Sequence, residues 1–485
     1  MTETPMPPFQ AHPLDTTRRT FLRGGIGLGA IAMGVLDGAA SGQEAASPLA
    51  QRQPPHLAKA KRVLYLSMSG APPQHDTFDP KPKLTELDGT PCPEHLFEGK
   101  RLAFIKGHPK LLGSPHPTSP VDPLGIEVSD LLPGFREYAR DVCVVRSIHT
   151  DQFNHAPAEM LLYTGNATVG KPSMGTWTTW GLGSMNDDLP GFVVLVSGES
   201  DPTGGKSLWS SGFLPSEYQG VRLRSKGEPV LYVSDPAGLD RPMRRRMLDA
   251  LKDLNREDHA RHGDPETLAR IAQYELAYRM QMAVPEVTDL SRESAETLER
   301  YGAKPGDGSF AANCLLARNL LRSGVRFVQL FDWGWDIHGT SAGDDLLTKF
   351  PQKCRDVDRP IAALMRDLRE SGLLDDTLVI WGGEFGRTPM LEARGGSTFL
   401  GRDHQPDCFS IWMAGGGVRA GHVHGSTDDL GAAVHEDGVS VRDLQATVLH
   451  LLGFDPEAMR FRHQGLDQRL IGPADGPRVV DGILG

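Results

Sequence analysis

The chain has 485 residues, of which 39% are hydrophobic and 23% are charged, and its formal net charge at pH 7 is -11. This length and composition are typical of a globular protein with one large domain or two of average size. The acidic balance leaves no basic excess to neutralise a phosphate backbone, which argues against nucleic acid as a partner.

The N-terminus carries the most specific short signal. Residues 17–23 read TRRTFLR, a Gly- and Ala-rich apolar run follows at 24–36, and small residues follow at 38–42. Paired arginines before a short apolar run and a small-residue site are typical of a twin-arginine signal peptide. We therefore expect residues 1–45 to be this signal and the mature protein to be periplasmic or extracellular. No later stretch reaches the roughly 20 apolar residues that a membrane span needs.

The segment 46–60 is rich in Pro, Gln and Ala, which is typical of a linker. Beyond it, we expect one domain over residues 61–475. Six short apolar runs predict strands at 62–68, 143–148, 192–196, 326–331, 377–381 and 409–414. These runs lack the period-two alternation of a half-exposed sheet, which favours a mostly parallel sheet covered by helices on both faces.

Helical spacing of apolar residues predicts helices at 311–323 and 357–371, and the second leads through Gly372 into the strand at 377. This succession of helix, glycine and strand is typical of βαβ units. A charged, helix-favouring stretch at about 241–301 predicts a helical hairpin inserted into the domain. The expected architecture is therefore a three-layer α/β/α sandwich with a helical insertion.

Ligands of such sheets bind outside the carboxyl ends of the strands, so the residues that follow each strand are informative. The polar residues near these ends are His75, Asp76, Asp79, His149, Thr150, Asp151, Asn154, His155, Asp336, His338, Glu384, Arg387, Arg402, Asp403 and His404. Mixed carboxylate and imidazole ligands suit zinc, manganese or iron better than a thiolate-binding metal. The sequence therefore predicts a divalent-metal site at one edge of the sheet. Five cysteines without a Cys-x-x-Cys pair predict buried free thiols instead of a disulfide scaffold.

Five stretches, at 76–81, 154–157, 335–339, 382–387 and 401–404, resemble the domain-of-unknown-function 1501 family. This family comprises uncharacterised exported proteins similar to sulfatases, within the alkaline phosphatase-like superfamily, and the resemblance extends over roughly residues 60 to 455. It implies an alkaline phosphatase-like fold and a divalent ion such as zinc, manganese or calcium. The expected metal ligands are Asp76, Asp336, His338, Glu384, Asp403 and His404, and the resemblance points to four of them: Asp336, His338, Glu384 and His404.

The resemblance also implies a phosphate or sulfate ester as substrate, carried on a small molecule or a polysaccharide. Asp336 and His338 resemble the superfamily's Asp and His pair at a shorter spacing, and Glu384 stands in the position of another Asp. The residue after Glu384 is Phe385, which cannot coordinate a metal.

One departure from the sulfatases bears on the mechanism. Their Cys-x-Pro-Ser-Arg segment, whose Cys becomes the formylglycine nucleophile, aligns with residues 155–159, which read HAPAE. His155 therefore replaces the nucleophile precursor and Glu159 replaces the Arg, which excludes a formylglycine at this position. Three possibilities remain: His155 is itself a covalent nucleophile, Thr150 takes that role, or His155 is a metal ligand beside water activated by the metal. We prefer the third.

Arg387 and Arg402 could each bind an oxyanion by paired hydrogen bonds, or could be buried structural partners of Asp403 or Glu384. The preferred function is metal-dependent hydrolysis of a phosphate or sulfate ester. The alternative is a catalytically inactive binding or assembly protein on a hydrolase scaffold, which the residues Phe385, His155 and Glu159 favour.

Overall fold

The computed structural model of the protein describes residues 47–198, 200–224, 229–230, 240–473 and 476–485. The predicted twin-arginine signal lies outside the described residues. The chain from Pro48 to Gly485 is one unit. Its first segment, predicted as a linker, lies along this unit: Leu49 is buried, and the backbone N–H of Arg52 donates to the carbonyl of Leu182 at 2.9 Å.

Nine described strands form the central sheet. In chain order they are β1 (Arg62–Ser69), β2 (Val142–His149), β3 (Phe192–Ser197), β4 (Val221–Arg222), β5 (Phe327–Trp333), β6 (Thr377–Gly382), β7 (Phe409–Ala414), β8 (His422–His424) and β9 (Val439–Ser440). All six predicted strands are confirmed. The three additional strands, β4, β8 and β9, are too short to be predicted from a hydrophobic pattern.

The sheet is mostly parallel, as predicted. The strand order is β8-β2-β7-β6-β1-β5-β3-β4, and β9 also pairs with β2. Strand β7 runs antiparallel to both of its neighbours, β2 and β6, and the other described pairs are parallel. Because β7 is reversed, its N-terminal end lies at the edge where the other strands have their C-terminal ends.

Nine described α-helices accompany the sheet. They are α1 (Pro82–Glu86), α2 (His155–Thr164), α3 (Met174–Leu182), α4 (Arg241–His262), α5 (Pro265–Thr288), α6 (Ala295–Tyr301), α7 (Phe310–Arg322), α8 (Lys349–Glu370) and α9 (Val441–Leu451). Helices α4 and α5 pack against each other within the stretch predicted as a helical hairpin.

The side chains of β1 alternate between two buried cores. Leu64 and Leu66 belong to one core, and Val63 and Tyr65 belong to the other, because successive side chains of a strand point to opposite faces. Helices α7 and α8 contribute leucines to the first core, and α2 and α9 contribute leucines to the second. Helices therefore cover both faces, and the predicted three-layer α/β/α architecture is confirmed.

The predicted start of α8 is wrong: the helix begins at Lys349 and not at residue 357. Its first turns bury Phe350 and Cys354, which continue the apolar face of the helix towards its N-terminus. Pro351 lies in the first helical turn, where an N–H has no partner within the helix, so the proline costs no hydrogen bond.

Eight short strands pair outside the central sheet, and they are Thr118–Val121 with Ile126–Ser129, Gly386–Arg387 with His404–Gln405, Ser426–Thr427 with Val434–Glu436, and Phe461–His463 with Leu466–Gln468. The 3-10 helices are Gln74–Asp76, Glu94–Leu96, Pro133–Glu137, Ala139–Asp141, Gly205–Trp209, Ser216–Tyr218, Leu290–Arg292, Leu373–Asp376, Arg394–Gly396 and Asp481–Ile483. All five cysteines are buried and free, as predicted. Among the described residues, no helix is both long and apolar enough to cross a bilayer.

Candidate metal centre

Four segments meet at the edge where the parallel strands end. His155 is the first residue of α2, which follows β2, and Asp336 and His338 come shortly after β5. Glu384 follows β6, and His404 precedes the reversed strand β7. The sheet therefore gathers side chains that are far apart in the sequence, as the strand-end rule predicted.

One carboxylate oxygen of Asp336 lies at the middle of this cluster. Its Oδ1 is 3.2 Å from Nε2 of His155, 2.7 Å from Nε2 of His338 and 3.3 Å from Nε2 of His404. A guanidinium nitrogen of Arg387 lies 2.6 Å from the same oxygen. Four of the predicted site residues thus contact a single atom of a fifth, Asp336.

The ring of His155 is fixed through its other nitrogen. Its Nδ1 lies 2.5 Å from Oε1 of Glu384, and the same oxygen accepts a hydrogen bond from the backbone N–H of Gly70 at 3.0 Å. Glu384 was predicted as a metal ligand, but its Oε1 holds the back of the His155 ring. This contact fixes the tautomer and turns Nε2 towards Asp336.

The other two imidazoles are held in the same way. Nδ1 of His338 is in hydrogen-bond contact with Oε2 of Glu392, and Nδ1 of His404 lies 2.8 Å from the carbonyl oxygen of Phe153. A carboxylate or carbonyl on one ring nitrogen is the usual support of a metal-binding histidine, because it leaves the lone pair of the other nitrogen for the ion. All three rings therefore have the orientation of ligands.

The distances from Asp336 Oδ1 to the three imidazoles fit a small ion. Ligands about 2.0–2.1 Å from a tetrahedral zinc ion lie roughly 3.3 Å from one another, and the three Nε2 atoms lie 2.7–3.3 Å from Asp336 Oδ1. The ligand atoms of His155, Asp336 and His404 also lie within 4.8 Å of one another. Nε2 of His155 is buried and has no well-formed hydrogen bond to any described residue. The donor set could thus hold zinc or manganese.

Burial and neighbouring charges set the pKa values of the imidazoles. Burial lowers the pKa of His155, but the neighbouring carboxylates of Asp336 and Glu384 outweigh burial and raise it to about 9. His404 lacks a carboxylate on Nδ1, and burial lowers its pKa to about 4 despite the hydrogen bond to Asp336. The surroundings of His155 therefore favour its protonated form, whereas those of His404 favour its neutral form.

Arg387 fixes the central carboxylate. Its side chain is 1% exposed, and it also donates to the carbonyl oxygens of Ala71 at 3.0 Å and Arg402 at 3.1 Å. Burial raises the pKa of Asp336, but the charge of Arg387 and the hydrogen bonds from the histidines hold that pKa well below its usual range. Arg387 thus lies at the cluster, with each guanidinium nitrogen directed at a protein acceptor.

Aromatic rings pack against the imidazoles. The ring of Phe385 lies 4.8 Å from that of His155 and 4.7 Å from that of His404, between centroids. The ring of Phe104 lies 5.0 Å from that of His338. Phe385 cannot coordinate a metal, and its place beside two histidines is that of an apolar wall.

A second group of acidic and imidazole side chains adjoins the first. The ligand atoms of His338, Glu392 and Asp403 lie within 4.8 Å of one another. Both oxygens of Asp403 are already occupied, because they accept the backbone N–H groups of Phe104, Ile105 and His404 at 2.8–3.0 Å. A second ion at this place would have to displace these hydrogen bonds. Sequence analysis missed Glu392, which lies in an irregular loop far from any strand end.

Two predicted site residues have other contacts. The carboxylate of Asp76 is fully buried and accepts Nε of Arg402 at 2.8 Å, so it forms a buried ion pair away from the histidines. Thr150 donates its backbone N–H to the carbonyl of Pro406 at 3.0 Å, and its hydroxyl accepts the N–H of Gln152 at 3.4 Å. Among the described residues, no hydrogen bond joins the Thr150 hydroxyl to the cluster.

Glu159, which replaces the arginine of the sulfatases, lies close to the cluster. It is 1% exposed, and its Oε2 accepts the backbone N–H of Gly204 at 2.7 Å. Burial, together with the charge of Glu384, raises its pKa to about 8. Burial and the negative charge of Glu384 thus both favour the protonated form of this carboxyl.

The cluster opens to the surface through two cavities. Asp336 lines a cleft of about 810 Å³, and His404 lines a smaller one of about 490 Å³. A ligand could therefore reach Asp336 and His404 without a change in the fold.

A family model described as "Protein of unknown function (DUF1501)" matches residues 60–484. No curated protein sequence matches the chain significantly.

Solved structures that are similar to this chain include the following three, each given with its sequence identity, the share of each chain that is covered and the TM-score. They are the lipoteichoic acid synthase LtaP from Listeria monocytogenes (10% identity, 86% of this chain and 75% of that chain, TM-score 0.34), the PsFucS1 sulfatase from Pseudoalteromonas sp. (13%, 88% and 74%, TM-score 0.35) and a protein in the alkaline phosphatase superfamily from Vibrio parahaemolyticus (9%, 91% and 75%, TM-score 0.33). The fold class of this chain rests on its own central sheet.

Proposed function

Because the chain belongs to the DUF1501 family of proteins of unknown function and its buried cluster has the composition of a metal centre, we propose that it is a metal-dependent hydrolase of phosphate or sulfate esters. His155, Asp336, His338 and His404 would hold one divalent ion. Such an ion supplies a Lewis acid that polarises an ester oxygen and stabilises the charge that develops there.

The observation that carries this proposal is the orientation of the three imidazoles. Each has Nδ1 against a protein oxygen, and each directs Nε2 at Asp336 Oδ1 within 3.3 Å. A set of core histidines held only for packing has no reason to aim three nitrogens at one oxygen. This arrangement has the pattern of supported metal ligands.

His155 is assigned as a ligand and not as a nucleophile. Both of its ring nitrogens have a defined direction, one towards Glu384 and one towards Asp336. Thr150 is left out of the proposed site because its hydroxyl has only a local backbone contact. Since position 155 is a histidine, the proposed reaction uses no formylglycine there.

The surrounding residues would orient these ligands and exclude water. Glu384 and Glu392 would hold the protons on Nδ1 of His155 and His338, and Arg387 would keep Asp336 in place. Phe385 is 1% exposed and would keep bulk water from one side of the centre. In a site with little water, charges act more strongly on a developing oxyanion.

The chemistry of the donors narrows the proposed metal. Three imidazole nitrogens suit zinc, and the carboxylate of Asp336 beside them also allows manganese, whereas calcium takes oxygen ligands almost exclusively. Zinc and manganese are therefore preferred over calcium. The proposed site of action is outside the cytoplasm, because the sequence predicts a twin-arginine signal.

The test is metal analysis of the purified chain, followed by turnover of aryl phosphate, phosphodiester and aryl sulfate substrates with and without a chelator. We expect stoichiometric metal and chelator-sensitive turnover, both lost in His404→Ala and both retained in the control Thr150→Ala. A metal-free, inert protein would contradict the proposal and favour a binding or assembly protein on a hydrolase scaffold.

A further inference from the structure

The larger cleft joins the candidate metal centre to a wall of basic side chains. It has a volume of about 810 Å³, and its lining includes Asp336 at one part and Lys349, Lys353, Arg355 and Arg359 of helix α8 at another. A molecule in this cleft would therefore touch both the central carboxylate and the cationic face of α8.

Two of these four cations are neutralised by protein groups. Lys353 donates to Asp332 and to the carbonyl oxygen of Trp333, and the guanidinium of Arg359 lies 2.7 Å from Oε1 of Glu299. Pairing of this kind leaves little charge for a ligand.

The other two cations are available. Lys349 is half-buried and Arg355 is exposed, and neither side chain makes a hydrogen bond or ion pair with any residue that the structure describes. Among the carboxylates of the cleft, Asp344 is engaged by the backbone N–H of His338 at 2.7 Å. Asp356 is the remaining acidic neighbour: burial raises the pKa of its carboxyl, and the charges of Lys353, Lys349 and Arg355 act against that rise without forming an ion pair with it.

A helix terminus adds to the positive potential of the cleft. Helix α7 begins at Phe310, and its first residues Phe310 and Ala311 line the cleft together with Ser309, which caps the helix. The N-terminal end of a helix carries partial positive charge from its free N–H groups. Unpaired cations and a helix N-terminus thus face the same space.

We propose that this cleft binds a second anionic group of the substrate, so that the substrate is a polyanion. It would carry the reacting phosphate or sulfate ester at the metal centre and at least one further anionic group at Lys349 and Arg355. The inference rests on the proposed hydrolase function for the identity of the reacting group. The volume agrees with it, because clefts of about 300–1,000 Å³ hold molecules much larger than one phosphate or sulfate ion.

The test is a calorimetric titration with sulfated maltotetraose, and with unsulfated maltotetraose as a neutral probe of the same backbone. The variant is Lys349→Ala/Arg355→Ala. The matched control is Lys252→Ala/Arg256→Ala, which removes the same two charges from α4, outside the cleft. Circular dichroism and thermal midpoints would show that all proteins are folded.

We expect the unaltered chain to bind the sulfated probe and not the neutral one. The cleft variant should weaken this binding by about ten-fold or more, because it removes two cations that would donate charge-assisted hydrogen bonds to the probe, and the control should bind as the unaltered chain does. Equal affinity in the cleft variant, or no binding of the sulfated probe by the unaltered chain, would overturn the inference.

Metal content and turnover of a small aryl ester, measured on the same proteins, separate the two proposals. Probe binding that depends on Lys349 and Arg355 in a protein without metal or turnover would contradict the hydrolase and support the cleft as an anion site. Metal-dependent turnover with unchanged probe affinity in the cleft variant would contradict only the proposal that the substrate is a polyanion, and the hydrolase proposal would stand.

Discussion

Nδ1 of His155 and Oε1 of Glu384 lie 2.5 Å apart, although the two residues follow different strands of the sheet. Glu384 is itself tied to the backbone of Gly70 in a third segment. The direction of the His155 ring is therefore set by the packing of the sheet edge and not by helix α2, which carries it. Metal affinity should consequently depend on Glu384 even though its Oε1 faces the back of the ring.

We predict that Glu384→Gln lowers the affinity for zinc about 10- to 100-fold, which is the usual cost of losing a carboxylate behind a metal-binding histidine. The amide keeps the volume of the side chain but loses the charge that favours a proton on Nδ1. Competition with a fluorescent zinc chelator would measure the change. Glu137→Gln, at an exposed carboxylate beside Arg366, is the control, and equal affinities in both variants would argue against this role.

A chelator should lower the thermal midpoint of the unaltered chain. An ion that binds only the folded protein stabilises it, by about 2.7 kcal/mol when the free ion is at 100 times its dissociation constant. In His338→Ala and His404→Ala the midpoint should be the same with and without chelator. Differential scanning calorimetry of these variants and of Thr150→Ala checks this, and a chelator effect that survives loss of a histidine would count against the ligand set.

Removal of one partner of the Asp76–Arg402 pair should unfold the protein more easily without emptying the metal site. Both side chains are at most 1% exposed, and an unpaired buried charge costs roughly 3–5 kcal/mol. We therefore expect Arg402→Met and Asp76→Asn to lower the thermal midpoint, while metal per folded molecule stays as in the unaltered chain. Loss of metal in Asp76→Asn at an unchanged midpoint would restore Asp76 as a ligand.

Gly401→Ala should disturb the centre through the backbone. A Cβ at this position would lie 1.9 Å from the carbonyl carbon of His338, so the loop that carries a proposed ligand must move. We predict a lower thermal midpoint and weaker zinc binding. Gly343→Ala is the matched control, because the nearest atom to its Cβ would be 3.8 Å away. A Gly401→Ala protein that equals this control in both measurements would contradict the prediction.

Asp358 should make stability depend on pH. Burial raises the pKa of its carboxyl to about 6, despite hydrogen bonds from the N–H groups of Gly134 and Phe135, whereas an unfolded Asp has a pKa near 3.9. Between these values the folded chain binds a proton that the unfolded chain releases, so the free energy of unfolding falls as pH rises from about 4 to 6.

In Asp358→Asn this contribution, on the order of 2 kcal/mol, should be absent. Thermal midpoints of both proteins between pH 4 and 7 test it. The unaltered chain should lose stability relative to the variant up to about pH 6, and the difference should then level off. Parallel curves over the whole range would show that Asp358 titrates normally.

The sequence predicts the layers of this fold well, because each long strand is a continuous apolar run and the helices α7 and α8 repeat leucines at helical spacing. The direction of β7 was not readable, since an apolar run such as Phe409–Ala414 has the same pattern in either direction. The start of α8 was missed because its first turns mix Phe350 and Cys354 with charged residues.

At the site, the strand-end rule identified the residues that meet at Asp336, and it could not separate them by role. Asp76 and Glu384 both follow buried strands, yet one pairs with Arg402 and the other supports His155. That difference arises from contacts across the sheet edge, which spacing along the chain does not encode. No sequence pattern predicted a role for Glu392, because its loop is brought to His338 only by the tertiary structure.

The reversal of β7 also affects when the centre can form during synthesis. His404 precedes β7 in the chain, and β7 is inserted between β6 and β2, which are made earlier. A nascent or truncated chain that ends before residue 414 would lack the complete strand β7, which follows His404 in the chain. Loading of a metal at the proposed site would therefore be a late event, possible only after β7 has been made and has paired with β6 and β2.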